Sequence, residues 1–537
     1  MMAALFSIVT PVYNPPLDAL TEMIDSVLAQ TFLDWELILV DDLSPNGEVR
    51  ETLRAAAARD RRLKVIEREI NGHIVAASND GIDAATGEFI ALLDHDDLLT
   101  PDALAKMAEA IAANPEADYL YSDEDKTDGD GRFYEAFRKP VWSPERLRGQ
   151  MYTSHLGVLR ASLVREVGCF REGFDGSQDH DLVLRVTEKA RQIVHVPEVL
   201  YHWRVIPGSA AGDLEAKPYA WVAGLKAVNE HLHRVGIKGV ADYGPWPGTY
   251  RIVRDPIPAE VLVSVVIPTR GDSGIVWGER RCFVVEAVRT LLAHGGHDNL
   301  EIVVVYDEPT PPAILDELRE IAGNRLLLLP YTKKFNYSEK CNLGVLAASG
   351  EVILLLNDDV EVVEGGLINK LVAPLYEPGV GATGARLLFA DSSIQHAGVE
   401  VFDGEYIHSF WTVPEDLPGT FSALCVDREV SALTGACLAV LRDTYLAVGG
   451  LSEKLPVNFN DVDFSKKIAT LGLRRLWIAD ARAFHFESQS REPDVADWES
   501  KFMANRWTMP EVDPYLPRYK PQEDPVAPSP ACCCAAR

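Results

Sequence analysis

No stretch of this 537-residue sequence approaches the ~20 uninterrupted apolar residues that a membrane-spanning helix requires. The N-terminus, MMAALFSIVTP, carries neither the basic region nor the cleavage site of a secretory leader. A cytoplasmic location is the expectation. Positive charge is scarce, with 52 Lys and Arg against 81 Asp and Glu for a net charge of −29. That balance argues against broad nucleic-acid binding and gives no general attraction to anionic lipid. An anionic ligand would have to be held locally, by a metal ion or by individual cationic side chains. Cysteine is sparse and follows no framework: Cys169, Cys282, Cys341, Cys425 and Cys437 are scattered, as in a reduced intracellular protein. Cys532 to Cys534 crowd the end of the chain behind the Pro-rich PQEDPVAPSP, and a disordered tail is expected there rather than an acylation or metal site.

What is present is organised around Asn79 to Asp97, NDGIDAATGEFIALLDHDD. A helix rich in small residues ends at Gly87, and Phe89 to Leu93 form an apolar run that opens into Asp94, His95, Asp96 and Asp97. A run without polar alternation suits a parallel strand buried on both faces, and open α/β sheets bind ligands beyond the carboxyl ends of such strands. In an extended segment Asp94 and Asp96 project to one side, with His95 and Asp97 on the other. Two carboxylates on one side make half a site for a hard divalent cation.

The same pattern recurs between Asn342 and Asp359 as NLGVLAASGEVILLLNDD. Around it other blocks repeat in order: VSVVIPT (263–269) matches Ser7 to Pro11, and EIVVV (301–305) matches ELILV (36–40). KLPVNFNDVDFSKKI (454–468) stands where GSQDHDLVLRV stood, and LWIADARAFHFES (476–488) where VHVPEVLYHWR stood. The period is a whole domain. With 47% hydrophobic and 25% charged residues the chain can fill two cores of roughly 250 residues each. Strand and helix alternate through both copies, which predicts doubly wound parallel α/β sheets. The expected bounds are a first domain at 1–240, a linker at 241–260 around YGPWPG, a second domain at 261–510, and the disordered tail at 511–537. Thr100 is expected to cap a helix with Pro101 in its first position.

These blocks resemble glycosyltransferase family 2, the inverting nucleotide-sugar enzymes with a GT-A fold. The resemblance covers nearly all of 5–240 and 260–495. GSQDHDL, VLYHWR, IQHAGVEVF, SALTGACL, FNDVDF and FHFES look like tandem-domain members from bacterial O-antigen, capsule and other surface-polysaccharide pathways. The resemblance implies two tandem GT-A domains and a divalent metal, Mn2+ or Mg2+, held by Asp96 and Asp359 with His202 and His485. Asp94 and Asn357 would face the donor ribose or phosphate. Pro11, Tyr13, Asn14 and Asp42 would bind the donor nucleoside in the first copy, and Pro268, Thr269, Arg270, Asp307 and Asp358 would contribute in the second. Asp179 and Asp461 would be the bases that deprotonate the acceptor; taken alone, each is an acid at a helix start and suits an N-cap or dipole partner. His396, Thr434 to Cys437, Trp203, Trp411 and Tyr406 are candidates beside the acceptor.

The expected partners are a nucleotide-sugar donor and a glycan or lipid-linked acceptor, with no nucleic acid. A lipid-linked acceptor would bring the protein peripherally to the inner face of the membrane. One alternative keeps a single domain catalytic and makes the other an acceptor-binding scaffold. A sugar-nucleotide pyrophosphorylase is disfavoured, because TPVYNPP is no glycine-rich, cationic phosphate loop.

Overall fold

The computed structural model describes residues 4–128, 131–205, 218–486 and 495–518. PQEDPVAPSP and the three terminal cysteines lie outside the described residues. Each half of the chain is built on one large sheet. In the first, Leu63–Glu67, Trp35–Asp41, Phe6–Val12 and Phe89–Leu92 run parallel, with Phe6 opposite both Trp35 and Phe89. The three strands Trp35–Asp41, Phe6–Val12 and Phe89–Leu92 are buried almost throughout, which is why their sequences do not alternate.

Beyond Phe89–Leu92 the sheet continues through Gly157–Arg160, Ala117–Thr127, Gln192–Arg204 and Leu98–Leu99, and antiparallel pairs enter. The sheet is therefore mixed rather than wholly parallel. Antiparallel neighbours need no helical crossover, so the strand–helix rhythm fades from the sequence after residue 115. The second half repeats the order as Leu326–Tyr331, Leu300–Asp307, Val263–Thr269, Val352–Leu356, Cys437–Leu441, Val380–Leu388, Arg474–His485 and Val360–Val362.

The repeat extends to single hydrogen bonds. Ser7 Oγ donates to Glu36 at 2.6 Å and accepts from the Gly87 amide at 2.8 Å. Ser264 Oγ does the same with Glu301 at 2.5 Å and Gly350 at 2.9 Å. Both glycines are required by close approach: a Cβ on either would lie 2.6 Å from backbone, the Ser7 nitrogen in one case and the Leu262 oxygen in the other.

Three boundaries differ from expectation. The helix after the first acids is Ala103–Ala113, and Thr100 bonds Asp102 instead of capping it, because Thr100 and Pro101 form the preceding turn. The 241–260 segment is largely a hairpin of Gly239–Tyr243 and Tyr250–Arg254, with YGPWPG as its turn and Tyr250 buried. Residues 511–518 are tied down: Asp513 accepts from the Val401 amide at 3.0 Å, and the Pro514 carbonyl accepts from the Val141 amide at 2.8 Å.

The halves meet in a buried charge cluster. Arg254 bonds Glu145 at 2.6 Å and Glu377 at 2.5 Å and lies 3.4 Å from Asp427. Arg148 bonds Glu145 at 2.5 Å and Glu377 at 3.2 Å, while Arg474 pairs with Glu429 at 2.7 Å. Burial raises the Glu145 pKa, but Arg254 and Arg148 win and hold it at about 2. Breaking such a cluster by removing one member costs about 3–5 kcal/mol, since a buried charge is left uncompensated. Phe137 of the first half stacks on Phe421 of the second, centroids 3.8 Å apart.

Candidate active sites

The carboxyl ends of the parallel strands open into a cavity in each half. The first, of about 760 Å³, is lined by Pro11, Tyr13, Asp42, Asp94 and Asp96, and by Asp179, Trp203, Tyr219 and Tyr250. Asn14 sits just outside the lining; its backbone has φ 50°, its amide donates to Ser44 Oγ and its side chain accepts from the Asn46 amide. Asp42 accepts from Arg68 at 2.6 Å and from the Gly72 amide at 2.9 Å.

The acids do not alternate as in a strand. The strand stops at Leu92 and residues 94–97 turn, closing with the Asp97 amide on the Asp94 carbonyl at 3.4 Å. Asp97 is buried, accepts from the Arg204 amide at 2.7 Å and is bonded by the Tyr201 hydroxyl. Both its oxygens are thus engaged in fixing the loop, while Asp94 and Asp96 remain open to the cavity. Burial and the charge of Asp94 raise the Asp96 pKa against the opposing pull of His95.

His202 is the main departure. Its Nδ1 bonds Asp125 at 2.5 Å, its ring stacks on Phe133, and it does not line the cavity. The strand register explains this. Leu98 faces His202, whereas Glu361, its equivalent in the repeat, faces Phe484; the position equivalent to His485 is therefore Trp203, one residue on. A one-residue offset turns a side chain to the opposite face of a sheet. The imidazole beside Asp94 in the first cavity is instead His155, with Nδ1 3.2 Å from Glu124 and Nε2 3.9 Å from Asp94. Donor atoms of Asp94, Asp97 and His155 lie within 4.8 Å of one another. Burial depresses the His155 pKa, but the hydrogen bond and charge of Glu124, with Asp94 and Asp97, raise it to about 9.

Asp179 opens the helix Gln178–Thr187 without acting as its N-cap, which is Ser177. Burial and the nearby charge of Asp94 lift its carboxyl to about 6. The second acid of the motif, Asp181, is structural: it is buried and paired with Arg171 and Arg185.

The second cavity, about 510 Å³, is lined by Pro268, Thr269, Arg270, Asn357, Asp358, Asp359, Asp461 and His485. His485 Nε2 is 3.1 Å from Asp359, and Gln395 holds its Nδ1 at 2.7 Å. Burial opposes ionisation of Asp359, yet the charge of His485 keeps its pKa below the usual carboxylate value. Asp358 accepts from Thr269 at 2.6 Å; burial and Asp359 raise it to about 7. Asp307 is not in the lining, and Lys340, which is, bonds it at 2.9 Å. Asp461 accepts from the Gly435 amide at 3.1 Å, and the carbonyl of the next residue, Ala436, accepts from the Asn357 amide at 2.9 Å. Arg270 is half exposed and 3.8 Å from Asp272. His396 is buried against His408 and Trp411 packs on Phe389, so neither lines the cavity, whereas Tyr406 does. The carboxylate oxygens of Asp94 and Asp96, and the oxygen and nitrogen donors of Asp359 and His485, suit a hard divalent cation.

A model of glycosyl transferase family 2 matches residues 7–167 and 264–416, which hold the parallel strands and acidic strand ends of both sheets. The chain belongs to glycosyl transferase family 2. Both halves carry the GT-A fold expected for that family. It is 42% identical over 94% of its length to the uncharacterized protein y4gI of Sinorhizobium fredii, covering 56% of that protein. It is 37% identical over 95% of its length to the O-antigen biosynthesis protein RfbC of Myxococcus xanthus, covering 40% of it. The chain thus spans about half or less of the length of these two relatives. Residues 1–349 of S. aureus TarS, in complex with UDP, share 24% identity over 43% of this chain and 71% of that one, with a TM-score of 0.32. Among the described residues of this family 2 protein, no helix is long and apolar enough to cross a membrane.

Sequence reasoning missed His155, Asp97 and Lys340. His155 follows an unremarkable YTS and gave no pattern signal. Asp97 and Lys340 were visible as residues, but only the turn and the packing of the helix Tyr337–Ala347 give them roles.

Proposed function

We propose that this protein is an inverting glycosyltransferase with two active sites, moving sugars from nucleotide-diphosphate-sugar donors to a growing, lipid-linked surface glycan. The observation that carries the reading is the twofold pairing, in one cavity per half, of an acidic strand end with an aspartate in the first turn of a helix. The similarity to RfbC, an O-antigen biosynthesis protein, supports the class of acceptor.

Asp96 and Asp94 in the first site, and Asp359 with His485 in the second, would hold a divalent cation; when bound, it neutralises the charge that develops on the departing diphosphate. Asp42 and Asp307 sit at the ends of the second strands, where the nucleoside would lie. Asp179 and Asp461 each accept the proton of an acceptor hydroxyl as it attacks the anomeric carbon from the face opposite the diphosphate. One base per site suffices, since the leaving group needs no proton. A lipid-linked acceptor places the protein peripherally at the inner membrane face.

The test is release of nucleoside diphosphate from UDP-, dTDP- and GDP-sugars, with Mn2+ or with chelator, in the wild type and in Asp96→Ala and Asp359→Ala. Loss of a different donor activity in each variant supports two active sites. Retention of every activity in one variant assigns that half to acceptor binding. No metal-dependent turnover or binding of any donor by the wild type overturns the proposal.

A further inference from the structure

Glu429 belongs to the second half but is bonded by Ser143 Oγ and accepts from the Glu145 amide at 3.2 Å, at the start of the short helix Pro144–Gly149 in the first half. Ser143 makes no side-chain cap of its own to that helix. Three residues into the helix, the Leu147 carbonyl accepts from His180 Nε2 at 2.7 Å. His180 is buried, and burial drops its pKa to about 4, so it is a neutral donor. It adjoins Asp179, and both line the first cavity.

A second strut runs along Tyr250–Arg254. At one end Arg254 is locked to Glu377 and lies near Asp427, both in the second half. At the other end Tyr250 lines the cavity, its hydroxyl 3.4 Å from the Trp221 carbonyl and packed so closely on Gly224 that a Cβ there would clash at 1.9 Å. Both struts begin on carboxylates of the second half and end on the wall bearing Asp179, Tyr219 and Trp221. The facing wall, with Pro11, Asp42, Asp94 and Asp96, hangs from the parallel strands instead. None of Glu377, Asp427, Glu429 or Arg474 lines the second cavity.

We infer that Glu429 and the Arg254 cluster are positioning residues for the first active site: the C-terminal half holds the wall that carries the N-terminal base. This rests on Asp179 being the base of the proposed transfer reaction. The consequence is directional. Loosening the contact alters the first site and leaves the second intact.

The experiment uses the full chain and the variants Glu429→Gln, Glu429→Asp and, should Glu429→Gln not fold, Asp427→Asn. Hydrogen exchange comes first because it needs no ligand. In Glu429→Gln, exchange is expected to rise about tenfold in residues 144–151, 178–187 and 219–225, with residues 6–12, 35–41 and 460–470 unchanged. Turnover is read in an Asp461→Asn background with the UDP-, dTDP- and GDP-sugar panel. There, kcat falls about tenfold while KM for the donor stays within about twofold, and Glu429→Asp restores it. A uniform rise in exchange, as from general destabilisation, or no rise at 178–187, overturns the inference. Wild-type turnover in Asp179→Asn would instead sink the assignment of the base, and the exchange pattern would still decide whether the wall is held from the second half.

Discussion

The two cavities are built to one plan and furnished differently. By strand register Trp203 in the first is equivalent to His485 in the second, and His155 is equivalent to Ala436. In each site an imidazole stands beside a strand-end residue, His155 beside Asp94 and His485 beside Asp359, delivered from a different place in the fold. The cation beside the second-strand acid has moved too: Arg68 pairs with Asp42, while Lys340, at the helical position occupied by Ala77 in the first copy, pairs with Asp307. The second copy alone inserts a hairpin, Ser273–Val276 with Glu279–Cys282, ahead of its first helix. Asp42, Asp96 and Asp179 have acid counterparts in Asp307, Asp359 and Asp461, while the groups that partner them change position. A buried carboxylate needs a compensating charge or donor, but the fold does not dictate which element supplies it.

Each prediction probes this exchange. The largest effect should come from the shared acids: Asp179→Asn and Asp461→Asn should each lower one transfer activity by about 10²–10⁴-fold and spare the other, measured as steady-state kcat on the separate donors. Next come the swapped imidazoles. His155→Ala should reduce metal-dependent turnover in the first site by about 10–100-fold, His485→Ala should do so in the second, and His202→Ala should do neither; metal titration of each variant checks this. Lys340→Met leaves Asp307 without its cation and should weaken nucleotide binding in the second site by about tenfold, with the first unchanged by calorimetry with UDP. The smallest effect is graded. Asp179 must be ionised to act, and its pKa is raised to about 6, so first-site kcat should climb with pH through about 6 and fall about tenfold per unit below it. A pH profile in the Asp461→Asn background reads this directly.

Much of this plan was legible in the sequence because it is written in short-range patterns. FIALLDHDD and VILLLNDD show a buried strand and its polar end, and QDHDL and NDVDF show an acid opening an amphipathic helix. Matching blocks gave the repeat. What failed did so for reasons of register and turn. The histidines of VLYHWR and FHFES align by eye, yet their strands pair one residue out of step, and DHDD is a turn whose side chains do not alternate. The buried cluster of Glu145, Arg254, Glu377 and Glu429 was invisible, because each residue reads as an ordinary surface charge until two distant segments meet.

The hairpin between the halves has a practical consequence. A protease separates domains where the chain is exposed, unpaired and mobile enough to enter its cleft. Here Gly239–Tyr243 and Tyr250–Arg254 are paired strand to strand, and Tyr250 and Arg254 are buried at the two ends of the second. Mild digestion should therefore leave these two strands uncut, and the gene should not divide within them into two working parts.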